Sequence, residues 1–507
     1  MKITFVYGAY ESIAIEYLSA LAKAAGHSVE LVYHPFLFCD ALLEVPRIAR
    51  FFPERERVVE RVLALKPDLL CFSTLTDTWA FDSAVAEEVK RRKPEIVTLF
   101  GGIHATALPE RLLELPFVDY VCVGEGEGAF MDLMQWVEAG KRLSGKVGKR
   151  VSGEAERLGS SIPNIWCKQD GQVFRPPPRS LMSDLDNLPF PDKALFYDQA
   201  PYFRSAYTII TSRGCLFRCS FCNNSLSDRL YGRDFAGIRR RSPDNVISEL
   251  TAAKKKWNPG TVVFEDDMFI SDHSWAREFL SMYRKHVHLP YQCIGHPALI
   301  DEEIARLLKE SGCRFMEVGV QSLEKSVCRL YNRPYNPGKT LSGIALLKKV
   351  GVAFNIDHIG GAPGETIEGQ LKALRIYNRL RPNRVTYFFL TFYPGTALTD
   401  QAVNQGWISR DQYSSLCDGR ASSYEQSGSV ADPEYMHLRV LAGLISLLPI
   451  RLWNFVERAG LYRKLPGAYF FSKYLPSLLG IIRGHEVRGL VIIRKYLCEL
   501  LRIRRGE

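Results

Sequence analysis

Short apolar runs alternating with longer helical stretches constrain this chain more than any other feature. In the first 140 residues KITFVY, VELVY, LLCFST, IVTLFGG and YVCVGEGE read as strands, with a helix through Ile13 to Ala25 between the first two. A second series, YTIITSRG, TVVFEDD, YQCIGH, RFMEVGVQS, VAFNIDHIGG and RVTYFFLTF, begins after residue 200. Strands joined through helices pair in parallel, which gives an α/β fold. The first series predicts a doubly wound, Rossmann-like domain over 1–140. The six β/α units of the second predict a partial barrel over 201–400. Between them, 141–200 reads as a linker, because Lys141 to Asp170 is polar and glycine-containing and Pro176-Pro177-Pro178 and LPFPD are helix-poor. Over 401–507 the strand signal fades and helices interrupted by Pro449, Pro466 and Pro476 are expected.

At 507 residues and 46% hydrophobic, the chain is long and apolar enough for several cores, and neither a disulfide-stapled scaffold nor broad disorder fits. Its net charge of +10 is a property of the tail, since thirteen Lys and Arg against six Asp and Glu from Asp432 onward supply +7. The start, MKITFVYGAY, lacks the longer apolar core of a signal peptide, so a cytoplasmic protein is expected. Twelve cysteines are then expected as thiols, and a tight group of them points to metal or redox chemistry. No apolar window approaches the roughly 18 residues of a spanning helix. No aromatic-basic module suggests nucleic acid.

One such group exists: Cys215, Cys219 and Cys222, spaced C-x3-C-x2-C on a loop after the first strand of the second series. Three thiolates on one loop suit a four-iron cluster that keeps one iron for an outside ligand. Zinc would need a fourth Cys or His nearby, and three unrelated buried thiols would not be confined to a strand-end loop beside Arg213 and Arg218.

The triplet followed by six β/α units resembles the radical S-adenosylmethionine enzymes over about Ser205 to Asp400. The resemblance implies that Cys215, Cys219 and Cys222 hold a [4Fe-4S] cluster whose free iron binds S-adenosylmethionine, reductively cleaved to a 5′-deoxyadenosyl radical. It puts Phe221 by the adenine and Glu265 or Asp266, after the second strand, near the methionine amine, which needs acceptors in a closed pocket. A solvated turn or a helix cap is the alternative for that pair. Gln321 and Ser322 resemble the ribose-contacting strand end, and Gly361 the glycine-proline turn beside the adenine; a polar strand end and a tight turn explain them equally well.

The first domain has no G-x-G-x-x-G after its first strand. Its loops instead resemble the cobalamin-binding domain fused to many radical S-adenosylmethionine enzymes, over roughly Met1 to Gly140. The resemblance implies cobalamin contacts from Glu11, Ser12, Ser73, Thr74, Thr76, Gly101, Gly102, His104, Gly124 and Glu125. The D-x-H-x-x-G loop that donates a cobalt ligand in other modules is absent, so His104 is expected near the nucleotide tail or in a structural role.

Together the resemblances imply a cobalamin-dependent enzyme that methylates an unactivated carbon or phosphorus centre of a small or apolar metabolite, lipid-like or tetrapyrrole among them, through methylcobalamin. An oxidative cyclase or rearrangement enzyme and a catalytically silent corrinoid sensor are the alternatives. A flavodoxin or ferredoxin would supply electrons. LAGLISLLPI, AYFFSKYLPSLLGII and GLVIIRKYLCELL in the basic tail suit peripheral membrane contact, an apolar substrate, or helices that cap the barrel.

Overall fold

The computed structural model describes residues 1–39, 45–52, 54–144, 161–169, 171–232, 237–420, 434–464 and 487–505. The apolar segment AYFFSKYLPSLLGII lies outside the described residues.

The first sheet comprises β1 (Lys2–Gly8), β2 (Ser28–His34), β3 (Leu69–Ser73), β4 (Val97–Gly101), β5 (Tyr120–Cys122), β6 (Ile165–Gln169) and β7 (Gln172–Phe174), in the order β2-β1-β3-β4-β5-β6-β7. Strands β1 to β5 are parallel. Their continuous apolar runs serve two cores at once. In β3, Leu69 and Cys71 join one core while Leu70 and Phe72 join the other, as the two-residue period of a doubly covered strand requires. The order reverses between β1 and β3, the switch point where ligands of open α/β sheets bind.

The 141–200 stretch does more than link. Strands β6 and β7 add antiparallel pairs to the sheet edge, Ile165 and Cys167 facing the core while Lys168 stays in water. Further on, Phe196, Tyr197, Tyr202 and Phe203 bury in the same core as Ile3 and Phe5. Short, half-polar strands leave little periodic signal, so composition alone reads them as a connection.

The second sheet is six-stranded and parallel: β8 (Ala206–Ile209), β11 (Thr261–Phe264), β12 (Tyr291–Gly295), β13 (Cys313–Gln321), β14 (Ala353–Gly360) and β15 (Arg384–Phe389) pair in sequential order. Sequential parallel order is that of a barrel opened at one side. A small antiparallel pair, β9 (Ser212–Arg213) with β10 (Arg239–Arg240), follows β8. The C-terminal helices cover both open edges: Glu434–Gly443 packs on β15, and Val487–Arg505 packs against β8. Tyr435, Leu438, Leu441 and Trp453 share the barrel's own core, so the first part of the tail caps the barrel.

Candidate functional site

The three cysteines lie on the loop leaving β9. Gly214 precedes them at φ 95, where a Cβ would sit 2.6 Å from the Gly237 carbonyl, so the turn admits only glycine. Ser220, inside the loop, donates through its hydroxyl to Leu330 O at 2.8 Å and accepts from Leu398 N at 2.8 Å, pinning the loop to two later segments. Cys219 is buried and Arg333 Nη1 donates to its Sγ at 3.5 Å. Burial pushes the Cys215 thiol up to about 11 and the Cys222 thiol up to about 12, with Asp267 and the neighbouring thiols adding repulsion. Such thiols ionise when a cationic centre displaces their protons.

Among the described residues no three Cys, His, Asp or Glu side chains converge on one ion-sized point, as tetrahedral zinc would require. A cubane spreads its cysteine ligands wider than one ion does. Three cysteines on one loop, with Arg333 donating to Cys219, are a donor set that fits an iron–sulfur cluster held by Cys215, Cys219 and Cys222.

The adjacent carboxylates after β11 have opposite employments. Asp266 is buried and turned back onto β8–β9: Thr211 N and Oγ1 donate to it at 3.0 and 2.8 Å, and Ser212 Oγ at 2.5 Å. It clamps the approach to the cysteine loop through Oδ1, while Oδ2 takes only the longer arm of the Thr211 N–H bond at 3.2 Å. Glu265 is half-buried and faces the barrel chamber, where Arg488 of the C-terminal helix donates to it at 2.7 Å and to Glu317 of β13 at 3.1 Å. Asp357 of β14 sits in the same chamber. Burial first, and then the Glu317 charge, push its carboxyl up to about 8.

Phe221 packs edge-on against Tyr331 at 4.9 Å between centroids, beside the last cysteine. Gln321 stands at φ 66 where the β13–β14 register shifts, an uncommon conformation for a residue with a side chain, held at the site itself. Ser322 spends its hydroxyl on Glu324 N at 3.1 Å. Gly361, at φ 84, donates its N–H to Glu365 Oε2 at 2.6 Å, closing the glycine-proline turn.

In the first domain Thr74, Thr76, Gly101, Gly102 and His104 come together, with Ser73 beside them, at the ends of β3 and β4. Thr74 Oγ1 donates to Gly101 O at 3.0 Å. His104 is buried, stacked on Trp79 at 5.1 Å, and its Nδ1 lies 3.2 Å from Thr76 Oγ1. Burial depresses its imidazole to about 4, so it is neutral, and its Nε2 has no hydrogen-bond partner among the described residues. Gly102, at φ 88, brings its backbone so close that a Cβ would lie 2.7 Å from Thr74 O. An orphaned buried nitrogen beside a glycine cradle and two hydroxyls fits the nucleotide tail of cobalamin.

Three expected contacts are otherwise engaged. Glu11 lies in a buried ion triad, with Lys193 Nζ 2.5 Å from it and 2.7 Å from Glu16. Ser12 caps the helix Ile13–Ala24 by accepting from Ile15 N at 3.4 Å. Glu125 reaches across to the second domain, pairing with Arg239 and, at 3.3 Å, with Arg213. Gly124, next to it, faces the Tyr231 phenol, which accepts from Glu125 N at 2.7 Å. Sequence reasoning missed Arg333, Lys193, Glu317, Asp357 and Arg488. Glu317 stands in the strand RFMEVGVQS but has no role legible there, and no local motif marks the others, because their partners lie on other segments.

Comparison with known proteins agrees with the two halves. The B12 binding domain family matches residues 3–134 and the Radical SAM superfamily matches residues 209–375. The chain is 26% identical over 345 residues to an uncharacterized methyltransferase of Pyrococcus horikoshii, covering 66% of this chain and 70% of that one. It is 24% identical to an anaerobic magnesium-protoporphyrin IX monomethyl ester cyclase of Rubrivivax gelatinosus, covering 78% of this chain and 68% of that one. The chain spans 63 to 70% of the length of the first three such relatives. The fold matches that of the cobalamin-dependent S-adenosylmethionine radical enzyme OxsB, with a TM-score of 0.65 and 14% identity, covering 100% of this chain and 81% of that one. This chain therefore carries a B12 binding domain followed by a radical S-adenosylmethionine domain. Its cofactors are cobalamin, a [4Fe-4S] cluster and S-adenosylmethionine.

Proposed function

We propose that the protein methylates an unactivated carbon or phosphorus centre of a small metabolite. The observation that carries this reading is the joint between the domains: Arg213, on the approach to the cysteine loop, pairs with Glu127 at 2.6 Å and with Glu125 at 3.3 Å. The last loop of the cobalamin domain is thereby locked to the cluster loop. When bound, the cluster with S-adenosylmethionine supplies a carbon radical and cobalamin supplies the methyl group.

The chain's own residues hold and exclude. Cys215, Cys219 and Cys222 ligate the cluster, and Arg333 sets positive charge against Cys219. Phe221 would supply an apolar wall, and Glu265, paired with Arg488, would be the carboxylate to accept from the methionine amine. Thr74, Thr76 and His104 bond the cobalamin tail within the Gly101-Gly102 cradle. The closed joint keeps water from the reacting centres. A flavodoxin or ferredoxin supplies electrons, and the C-terminal region meets a membrane surface, which suits an apolar substrate.

The similarity to a cyclase supports a second reading, radical chemistry without methyl transfer. Reconstituted enzyme given S-adenosylmethionine with a deuterated methyl group and a fractionated metabolite pool separates the two. Methylation puts the label in a product and yields both S-adenosylhomocysteine and 5′-deoxyadenosine. A cyclase yields 5′-deoxyadenosine with no labelled product, and a corrinoid sensor yields neither.

A further inference from the structure

The C-terminal helix Val487–Arg505 rests Val491 and Cys498 on the first core but otherwise reverses the usual polarity. Toward the protein it sends charge. Lys495, 1% exposed, donates to Pro35 O at 2.9 Å, Arg502 donates to Gln199 O at 2.8 Å and to the buried Glu499 at 3.2 Å, and Arg488 enters the barrel chamber. Toward solvent it sends Leu490, Ile493, Leu497, Leu500 and Leu501, each 39 to 58% exposed. That spacing is one continuous stripe along a 3.6-residue period. A helix that merely caps a domain buries its leucines and hydrates its charges.

The stripe continues into the first domain. Tyr496 meets Phe38 edge-to-face at 5.3 Å, Phe38 packs tilted against Phe52 at 5.4 Å, and beside them Phe51 is 69% exposed, with Ile48 also exposed. Exposed arginines flank these side chains at Arg47, Arg50, Arg494 and Arg504; the exposed acids that follow Phe51, Glu56 and Glu60, are paired with Arg92 at 2.6 and 2.5 Å, and the one acid of the helix, Glu499, points inward. No helix among the described residues is long and apolar enough to cross a membrane.

We propose that this face is the docking surface for an anionic lipid bilayer, the leucines entering the interface and the arginines meeting phosphate headgroups. A second copy of the chain fits less well, because a two-fold contact would bring the same arginines against each other. The inference rests on the reading of the C-terminal region as membrane-facing, and adds which face, which residues and which lipid charge. Because Arg488 belongs to the same helix, the bilayer lies one helix away from the Glu265–Glu317 pair.

Sedimentation of the full-length holoenzyme with vesicles tests this. The protein pellets with vesicles of phosphatidylcholine and phosphatidylglycerol, and at least tenfold less with phosphatidylcholine alone or in high salt. The double variant Leu497→Gln, Leu501→Gln loses at least tenfold in vesicle partition while cleaving S-adenosylmethionine at the wild-type rate in vesicle-free buffer, which shows that it folds. Equal binding to neutral vesicles, no binding to either, or a dimer that the double variant dissolves would each overturn the proposal. Loss of cleavage in the wild type itself would count against the enzymatic reading instead.

Discussion

Arg213 and Glu127 meet at 2.6 Å across the two domains, and both are largely withdrawn from water. Glu127 opens the helix Glu127–Ser144, so its carboxylate also faces that helix's positive end. Burial works against its charge most, but the Arg213 guanidinium, the helix's own N–H and Arg239 together hold the carboxyl below its usual range. The pair ties the cobalamin domain to the strand that leads into the cysteine loop.

Breaking it therefore uncouples the cofactors before it unfolds the chain. Glu127→Gln leaves Arg213 buried with Glu125 alone and costs roughly 3 kcal/mol of stability. The expected result is a fall of about tenfold in methylated product per 5′-deoxyadenosine, equivalent to about 1.4 kcal/mol, with a lower melting temperature. An unchanged product ratio would show that the joint does not set the distance between the cofactors.

Asp266 organises the cluster loop from behind. Asp266→Asn keeps its shape but turns an acceptor of several bonds into a partial donor facing Thr211 and Ser212. A loss of about 2 kcal/mol is expected. Iron and sulfide bound after anaerobic reconstitution should fall well below the wild-type content, and full incorporation would contradict the role.

Gly102 tests the cobalamin cradle independently of the cluster. Gly102→Val places a branched side chain at φ 88 with its Cβ against Thr74 O and N, at 2.7 and 2.8 Å. Cobalt retained after gel filtration should drop at least tenfold while iron content stays at the wild-type level. Loss of both together would mean the substitution unfolds the chain rather than closing the cradle.

His358 gives the barrel a definite acid limit. It is fully buried, bonded through Nδ1 to Tyr377 OH at 2.9 Å and through Nε2 to Gln370 Oε1 at 2.9 Å. Burial depresses it to about 4 despite the Gln370 acceptor. As pH falls, the unfolded chain takes the proton first. The contribution is therefore complete above about pH 6.5 and is lost progressively toward pH 4, about 3 kcal/mol across that window. Chemical denaturation between pH 7 and 4 should show this decline, and His358→Gln should remove about 3 kcal/mol of it, leaving the share of the other depressed histidines, among them His104 and His296; an equally steep decline in the variant would place the acid sensitivity elsewhere.

The parts legible in the sequence are those written in neighbouring residues. The spacing of Cys215, Cys219 and Cys222, the glycine pair Gly101-Gly102 and the two strand series need no knowledge of the rest of the chain. The Glu265-Asp266 pair marks the boundary of legibility. Two carboxylates in succession read alike, yet strand alternation sends one into the chamber and the other back onto Thr211. Lys193 is illegible for a different reason. Its partners Glu11 and Glu16 lie far back in the chain, and a lysine after LPFPD reads as a solvated surface residue until the ion triad is seen. Arg488 likewise sits in a tail whose arginines read as a surface charge.

The central claim, two metal cofactors gathered by one chain, is tested most directly by metal content and visible spectrum. The protein is reconstituted anaerobically with iron, sulfide and cobalamin and then freed of unbound cofactor. The account predicts about one cobalt and about four iron per chain, with corrinoid bands over an iron–sulfur shoulder. Wild-type protein that retains the cluster but no cobalt would contradict it, leaving the first domain without the ligand its cradle fits and removing the basis for methyl transfer.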